Sequence, residues 1–412
     1  MDDFESDDDM KANELDDEVP DEVSEEDNGD DSLTAADVQD VLLYTLDWSV
    51  ESLLDRIGRT FDINPAFQRR DAWTSERKSK YIESLMLGLP IPQVVLAEDK
   101  NSKRFIVLDG KQRLITMKQF GAPDEQYQSF RLRRLKFLPQ LIGKTFQQIE
   151  NSADNAEWAE NFLSQPVRTI VVRNWGNTKV LYEVFIRLNQ GSLALSPQEL
   201  RQALYPGSFS TFINTRSGSS KAIQRARRIK REDFRMRDAE MLLRGVAFQD
   251  SLESYGGDLR DFLDKMCERG NKEWATRQSE FESLADSLEK SIERAEKIFG
   301  QGETYFRYQA EREPFGYVRR FNIAVFDLMT MVLASPEVTD EFVESKWNEL
   351  RTEFQMLCVN DPEFEDAIKS TTKTERATAL RIIRFGEAVQ RHLGGELEAV
   401  RRARALLARA EA

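Results

Sequence analysis

The sequence is poor in histidine and cysteine. Its 412 residues include a single histidine, His392, and two cysteines, Cys267 and Cys358, that lie far apart. Zinc sites and disulfide frameworks need closely spaced sets of these residues, which this chain does not supply. No site that needs two histidines can be built from this chain.

Long apolar runs are also scarce. The most apolar late stretch, residues 323–334, is short and contains Asp327, so it predicts a buried helix and not a membrane span. The N-terminus is acidic where a secretory signal would be basic and then apolar. We therefore expect a cytoplasmic protein without membrane partners.

Basic residues are almost missing from the first forty positions. Residues 1–40 hold 19 Asp and Glu against Lys11 alone, a net charge of −18, whereas residues 41–412 hold 57 basic and 54 acidic residues, a net of +3. Because dense like charge with few large apolar side chains cannot offset the entropy of ordering, residues 1–32 are predicted to be a disordered acidic tail. The tail either keeps the protein soluble or competes with nucleic acid for a basic groove on the body.

The remaining chain predicts an α+β fold, in which a small α/β core precedes a mostly helical region. Strand patterns occur at 91–98, 104–109, 129–135 and 167–173. Helical patterns occur at 32–46, where Thr34 and Asp37 form a capping box, and at 75–88, 111–120, 177–189 and 196–205. From about residue 235 onward the periodicity is entirely helical. We place the domains at 33–205 and 206–412.

The segment VLDGKQRLITMKQF, residues 107–120, raises the main functional question. A strand pattern ends at Asp109–Gly110 and continues into a helix, whose first amides and dipole together form an anion site. Gly110 lets a phosphate approach the backbone, and Asp109 could hold Mg²⁺ or water. Arg113 adds a forked donor and Lys111 a point charge. The alternative is an ordinary tight turn, since the sequence has no P-loop.

A second Gln/Arg-rich segment lies upstream. Residues 64–70, NPAFQRR, predict a loop, because Pro65 disfavours a helix immediately before it. We expect Gln68, Arg69 and Arg70 to project from this loop toward the same anion as Arg113.

The succession FQRRDAW, YIESLMLGLPIP, VLDGKQRLITMKQF and FIRLNQGSLALSPQELRQALY resembles the N-terminal domain of GmrSD-type modification-dependent restriction endonucleases. That domain is a ParB-like module of bacterial phage-defence proteins, and the resemblance covers roughly residues 45–250. It implies a ParB/sulfiredoxin-like core that binds a nucleoside triphosphate (NTP) and Mg²⁺, with NTP hydrolysis coupled to DNA restriction.

The resemblance also implies site residues by position. The family's Asp-Gly-Gln-Gln-Arg motif falls on residues 109–113, with Lys111 in place of the usual glutamine. The catalytic candidates are Asp109, also the metal candidate, and Arg113. The cofactor-binding candidates are Gln68, Arg69, Arg70, Gly110, Lys111, Gln112, Arg187 and Asn189. The family's ELR segment falls on Glu199 and Arg201. For the last four positions, Arg187, Asn189, Glu199 and Arg201, the alternative is a structural polar network between helices.

The strongest basic stretch, residues 221–237, has eight Lys and Arg against two acidic residues. Such density predicts salt-dependent nucleic-acid binding. The candidates are Lys221, Arg225, Arg227, Arg228, Lys230 and Arg231. The alternative is a solvated helix face whose arginine stems cover apolar surface. Residues 131–136, RLRRLK, form a second, smaller basic patch.

The full-length restriction enzymes carry a C-terminal HNH nuclease, which needs histidine. With His392 alone, we expect no HNH nuclease in this chain. The predicted function is that of an NTP-binding and NTP-hydrolysing sensor or regulator in phage defence or DNA restriction. Its predicted partners are NTP, DNA and a separate nuclease or defence effector. The alternative is a non-catalytic DNA-binding or adaptor protein, either switched by nucleotide or independent of it.

Overall fold

The computed structural model describes residues 34–61, 73–100, 102–188, 196–233, 235–300, 305–307, 321–369 and 373–411. Within these residues a small sheet near the N-terminus is followed by a mostly helical part, so the predicted α+β fold class is confirmed.

The first part of the chain alternates strands and helices. Its elements are α1 (Ala35–Val38), β1 (Leu42–Ser49), α2 (Val50–Arg56), α3 (Ser75–Met86), β2 (Val94–Glu98), β3 (Phe105–Asp109), α4 (Lys111–Gly121), α5 (Phe146–Glu150), α6 (Ala156–Ser164), β4 (Pro166–Arg173), α7 (Thr178–Leu188) and α8 (Pro197–Leu204).

The four strands form one sheet in the order β1-β4-β2-β3. Strand β4 pairs antiparallel with β1 and parallel with β2, and Val94 lies opposite Thr169. Strands β2 and β3 are antiparallel, with Val95 opposite Asp109. Asp109 therefore ends an edge strand beside the start of β2.

The two faces of the sheet are buried in different clusters. Along β2, Val94 and Leu96 pack with helices α2–α6, whereas Val95 and Ala97 pack with α7 and α8. This alternation follows from the two-residue period of a strand. The sheet is covered on both faces, and the Asp109–Gly110 turn lies at its edge.

The later part of the chain is helical throughout the described residues. Its helices are α9 (Ser208–Ser219), α10 (Lys221–Arg227), α11 (Arg237–Ser251), α12 (Leu259–Phe299), α13 (Ile323–Leu333), α14 (Asp340–Asn360), α15 (Pro362–Lys369), α16 (Glu375–Leu393) and α17 (Glu398–Ala410). The 41-residue α12 buries one stripe, including Phe281, Leu288 and Ile292, in the largest apolar cluster. The described residues contain no helix that is both long and apolar enough to cross a membrane, and the apolar α13 is buried as predicted.

Two of the sequence predictions are wrong. The capping box at Thr34 and Asp37 forms, but its helix has only four residues, and residues 42–49 instead form the edge strand β1. Long-range pairing with β4 stabilises the strand over the local helical pattern. The predicted strand at 129–135 does not form. From residue 132 to residue 141 a leucine recurs at every third position, and all four leucines are buried: Leu132, Leu135, Leu138 and Leu141. A strand, whose side chains alternate with a two-residue period, cannot bury residues at this spacing.

Candidate functional site

Gly110 connects β3 to α4 in a conformation that favours glycine. It is the N-cap residue of α4, with φ +96° and ψ +10°. A Cβ atom at this position would lie 3.0 Å from Val94 Cγ2 and 3.2 Å from both Nε and Nη2 of Arg113. Gly110 has no side chain that could cap the helix. Amides of a first helical turn lack intrahelical acceptors, so this turn has the geometry of an anion site.

Arg113 folds back across Gly110 onto Asp109. Its Nη2 donates to Asp109 Oδ2 at 2.7 Å, and only 8% of the residue is exposed. Arg113 Nε is buried and has no hydrogen-bond partner among the described residues. The two predicted catalytic residues are thus in direct contact, and the guanidinium retains an unused donor.

Tyr81 of α3 lies near this guanidinium. Its buried hydroxyl also lacks a hydrogen-bond partner among the described residues. Burial raises the pKa of this hydroxyl, and the positive charge of Arg113 opposes that rise. Trp73 packs edge-on against the Tyr81 ring at 5.4 Å. Since buried polar atoms normally have partners, these two unsatisfied atoms mark a place suited to a polar ligand.

The side chain of Lys111 reaches α8. Its Nζ lies 3.7 Å from Glu199 Oε1, and both residues are buried. Glu199 also accepts from the backbone N–H of Ser196 at 2.7 Å in the capping box of α8. Burial raises the pKa of Glu199, although the ammonium of Lys111 acts in the opposite direction. Lys111 therefore connects α4 to α8.

Arg201 connects α8 to the long helix α12. The guanidinium is fully buried, and its Nε donates to Asp264 Oδ1 at 2.7 Å. The hydroxyls of Tyr182 and Tyr205 donate to the same carboxylate at 3.1 and 3.4 Å. Glu199 and Arg201 therefore belong to a polar network between helices, as the alternative interpretation predicted.

Residues 50–206 match the family described as GmrSD restriction endonuclease, N-terminal domain. This segment is similar to a GmrSD-type N-terminal domain. The match includes the Asp109–Gly110 turn and the Glu199–Arg201 segment, and it confirms the resemblance noted in the motifs. The domain suggests a role in a restriction or phage-defence system. No curated protein and no solved structure matches the chain.

The remaining predicted cofactor-binding residues add little to the geometry of the Asp109–Gly110 turn. Gln112 has a buried side-chain oxygen without a hydrogen-bond partner among the described residues. Arg187 is exposed, and its Nε donates at 2.6 Å to Glu183 of its own helix. The structure does not describe Gln68, Arg69, Arg70 or Asn189.

Metal binding at the turn would depend on the ligand's own oxygens. In the parts of the chain that the structure describes, no group of three or more His, Cys, Asp or Glu residues could hold a metal ion. Asp109 thus offers a single carboxylate, which fits Mg²⁺ where phosphate oxygens and water complete the coordination.

His392 lies in the last turn of α16 with Nε2 3.2 Å from Glu353 Oε1.

The predicted nucleic-acid stretch is partly used in packing. Arg225 pairs with Glu296 at 3.0 Å and Glu293 at 3.3 Å, both on α12. Arg227 lies over the Phe321 ring, and Arg228 ends α10 in a left-handed conformation. Lys221, Lys230 and Arg231 are exposed. Arg225 and Arg227 therefore take part in packing. Arg225 and Arg228 are nevertheless exposed like the other three, so any nucleic-acid contact here depends mainly on these five residues.

Tyr81 was not among the predicted site residues. It lies in the helical pattern predicted at 75–88, where an aromatic residue is ordinary. The weak available signal was an aromatic pair, Trp73 and Tyr81, directly after the Gln/Arg-rich segment.

Proposed function

We propose that this chain binds an NTP at the Asp109–Gly110 turn and hydrolyses it as a sensor or regulator in restriction or phage defence. The turn itself carries the proposal. A left-handed glycine, which has no side chain to cap the helix, begins α4, and beside it lies a buried arginine whose Nε has no partner among the described residues. Phosphate groups are the anions that such a helix start and a forked guanidinium bind best.

The side chains around the turn have distinct roles in this proposal. Amides of the first turn of α4 bind phosphate oxygens at the closely approachable Gly110. Arg113 Nε and the Tyr81 hydroxyl supply further donors that no described residue uses. Asp109 would hold Mg²⁺ together with those oxygens, and the ion would offset phosphate charge. Arg113 keeps the Asp109 carboxylate oriented through the 2.7 Å hydrogen bond.

Lys111 acts on the proposed site indirectly. Its ammonium pairs with Glu199, so it would have to leave that partner to touch a phosphate. Through Glu199 it fixes α8 against the turn, and Arg201 on α8 reaches Asp264 of α12. These contacts give the nucleotide site a physical connection to the helical part, where the exposed residues Lys221, Arg225, Arg228, Lys230 and Arg231 are the DNA candidates. A separate nuclease or effector would supply the cleavage.

A non-catalytic nucleotide switch or adaptor is the second candidate. The observation that favours it is charge compensation, because Arg113 and Lys111 each already face a carboxylate. Less positive charge then remains to stabilise a phosphoryl-transfer transition state. This candidate predicts nucleotide binding without phosphate release.

Equilibrium binding of ATP, GTP, CTP and UTP, with and without Mg²⁺, tests the site. We expect one or more of the four to bind the wild type and to bind Arg113→Ala at least tenfold more weakly, as loss of a charge-assisted hydrogen bond typically costs roughly 1.5–3 kcal/mol. Arg59→Ala, an exposed arginine of the same domain, is the matched control and should bind normally. Binding that Arg113→Ala leaves unchanged, or no binding at all, overturns the proposal.

A further inference from the structure

Residues 131–144 form an exposed segment, here called the basic loop, that the nucleotide site does not involve. It contains five cationic residues and no acidic residue. Its leucines, at every third position, are buried, so the residues between them face outward. The outward residues include Arg131, Arg133, Arg134, Lys136 and Phe137.

Buried groups of α3 hold the backbone of the basic loop. The Glu83 carboxylate, on a residue only 4% exposed, accepts backbone N–H groups from Lys136 at 3.2 Å, Phe137 at 2.7 Å and Leu138 at 2.9 Å. Ser79 Oγ accepts the N–H of Arg133 at 2.9 Å. Four fixed amides make this a preorganised surface, so little ordering entropy is lost when a ligand binds.

The positive charge of the basic loop is mostly uncompensated. Arg134 alone pairs with a described acid, Glu76, at 2.9 Å, and both side chains are substantially exposed. Arg131 donates to neutral acceptors, the Gly143 carbonyl at 2.8 Å and Gln148 at 3.2 Å. Arg133 and Lys136 make no ion pair with any residue that the structure describes. A long-range attraction for polyanions follows.

Phe137 distinguishes this surface from an ordinary solvated loop. It is 57% exposed, more than any other aromatic side chain in the described residues. Lys136 Nζ lies over this ring, 5.1 Å from its centroid, which places a cation against an exposed aromatic side chain. An exposed ring with cations beside it is the combination that binds stacked bases and their phosphates.

We propose that the basic loop binds single-stranded nucleic acid, with Arg133 and Lys136 on phosphates and Phe137 stacked on an unpaired base. Single strands are favoured over a duplex because a duplex hides its base faces in its own stack. Single strands are favoured over an acidic protein because its carboxylates would pair with the cations but would not stack on the exposed ring. This binding is independent of the proposed nucleotide site.

Fluorescence anisotropy with a labelled oligothymidylate, at several salt concentrations and without NTP, tests the proposal on the full chain. Phe137→Ala should weaken binding roughly fivefold or more without changing the salt dependence, because it removes one stacking contact. Arg133→Ala combined with Lys136→Ala should reduce the slope of log affinity against log salt by about 1.4, about 0.7 for each lost phosphate contact.

The matched control removes two exposed lysines of α12, Lys272→Ala combined with Lys290→Ala, and should leave both affinity and slope nearly unchanged. Thermal denaturation of every variant separates binding loss from unfolding. Three results overturn the proposal: a Phe137→Ala variant that binds like wild type, an oligothymidylate duplex with oligodeoxyadenylate that binds as tightly as the single strand, or polyglutamate that competes equally well. The last result would identify a surface for acidic proteins.

Discussion

At the scale of single residues, Gly110 is the position that the turn restricts most. Gly110→Ala would place a side chain at φ +96° and within 3.2 Å of Val94 and Arg113. A left-handed non-glycine residue alone costs roughly 1–2 kcal/mol, and the close contacts add to that loss of unfolding free energy. Gly58→Ala is the control, because Gly58 also has positive φ but open space around it. Denaturant unfolding should show the larger loss for Gly110→Ala; equal losses would mean that the packing around Gly110 is loose.

Glu199 gives a pH-dependent prediction. Its pKa in the folded protein is raised above the ordinary value of 4.5, chiefly by burial. The folded state therefore holds the proton more tightly, and this stabilisation is complete below pH 4.5 and is lost as pH rises through the raised pKa. Stability of the wild type relative to Glu199→Gln should fall over that range in denaturant titrations. A difference that is constant with pH would show that Lys111 balances burial, and a difference that grows with pH would show that Lys111 outweighs it.

Sequence reasoning predicted the local part of the candidate site and missed the long-range part. Asp109, Gly110 and Arg113 are adjacent in the chain, so a strand–turn–helix pattern suffices to bring them together, as the structure has them. Glu199, which faces Lys111, is 88 positions away in sequence, and the burial of the Tyr81 hydroxyl without a partner among the described residues depends on how α3 packs. Such contacts depend on tertiary packing, which local patterns do not contain.

At the scale of elements, local signals failed where tertiary pairing decided the structure. The LLYTLDW segment has strand-favouring residues, but its position after a capping box favoured a helix, and only pairing with β4 settles it. Residues 129–135 have strand-like composition. The buried leucines that begin at Leu132 recur every third residue, however, and this spacing fits the observed irregular loop and not a strand. The helix at 196–205 was predicted correctly, because Ser196, Pro197 and Glu199 determine a helix start locally.

The contact between α8 and α12 depends on a buried ion pair. Arg201→Ala would leave Asp264 buried without its guanidinium partner, a change that typically costs 3–5 kcal/mol, here taken as about 3 kcal/mol. Arg168→Ala, which breaks an exposed pair with Asp47 at the edge of the sheet, is the control and should change stability little. Chemical denaturation measures both. If the two variants unfold alike, the Arg201–Asp264 pair does not hold the two helices together.

At the scale of the whole molecule, charge is divided unequally. Residues 1–33 hold 17 acidic residues and one lysine, a net of −16, so residues 34–412 carry −15 minus −16, or +1. The sequence left two roles open for the tail: solubility or competition with nucleic acid. The basic loop now supplies a defined surface on which such competition could act.

Replacing the tail's acids by their amides in the full chain distinguishes these roles. If the tail competes, oligothymidylate should associate faster with the amide variant at low salt, and the difference should disappear as salt screens the charges. Stopped-flow anisotropy measures the rates. Equal association rates together with reduced solubility would assign the tail to solubility alone.

Phosphate release from ATP, GTP, CTP and UTP in the presence of Mg²⁺, by wild type and Arg113→Ala, tests the proposed function most directly. We expect at least one NTP to be hydrolysed by the wild type, with the rate reduced at least tenfold in Arg113→Ala while Arg59→Ala remains fully active. If a nucleotide binds but phosphate is released from none of the four, the result would favour the non-catalytic switch. Hydrolysis that is equally fast in Arg113→Ala would contradict a catalytic site at the Asp109–Gly110 turn.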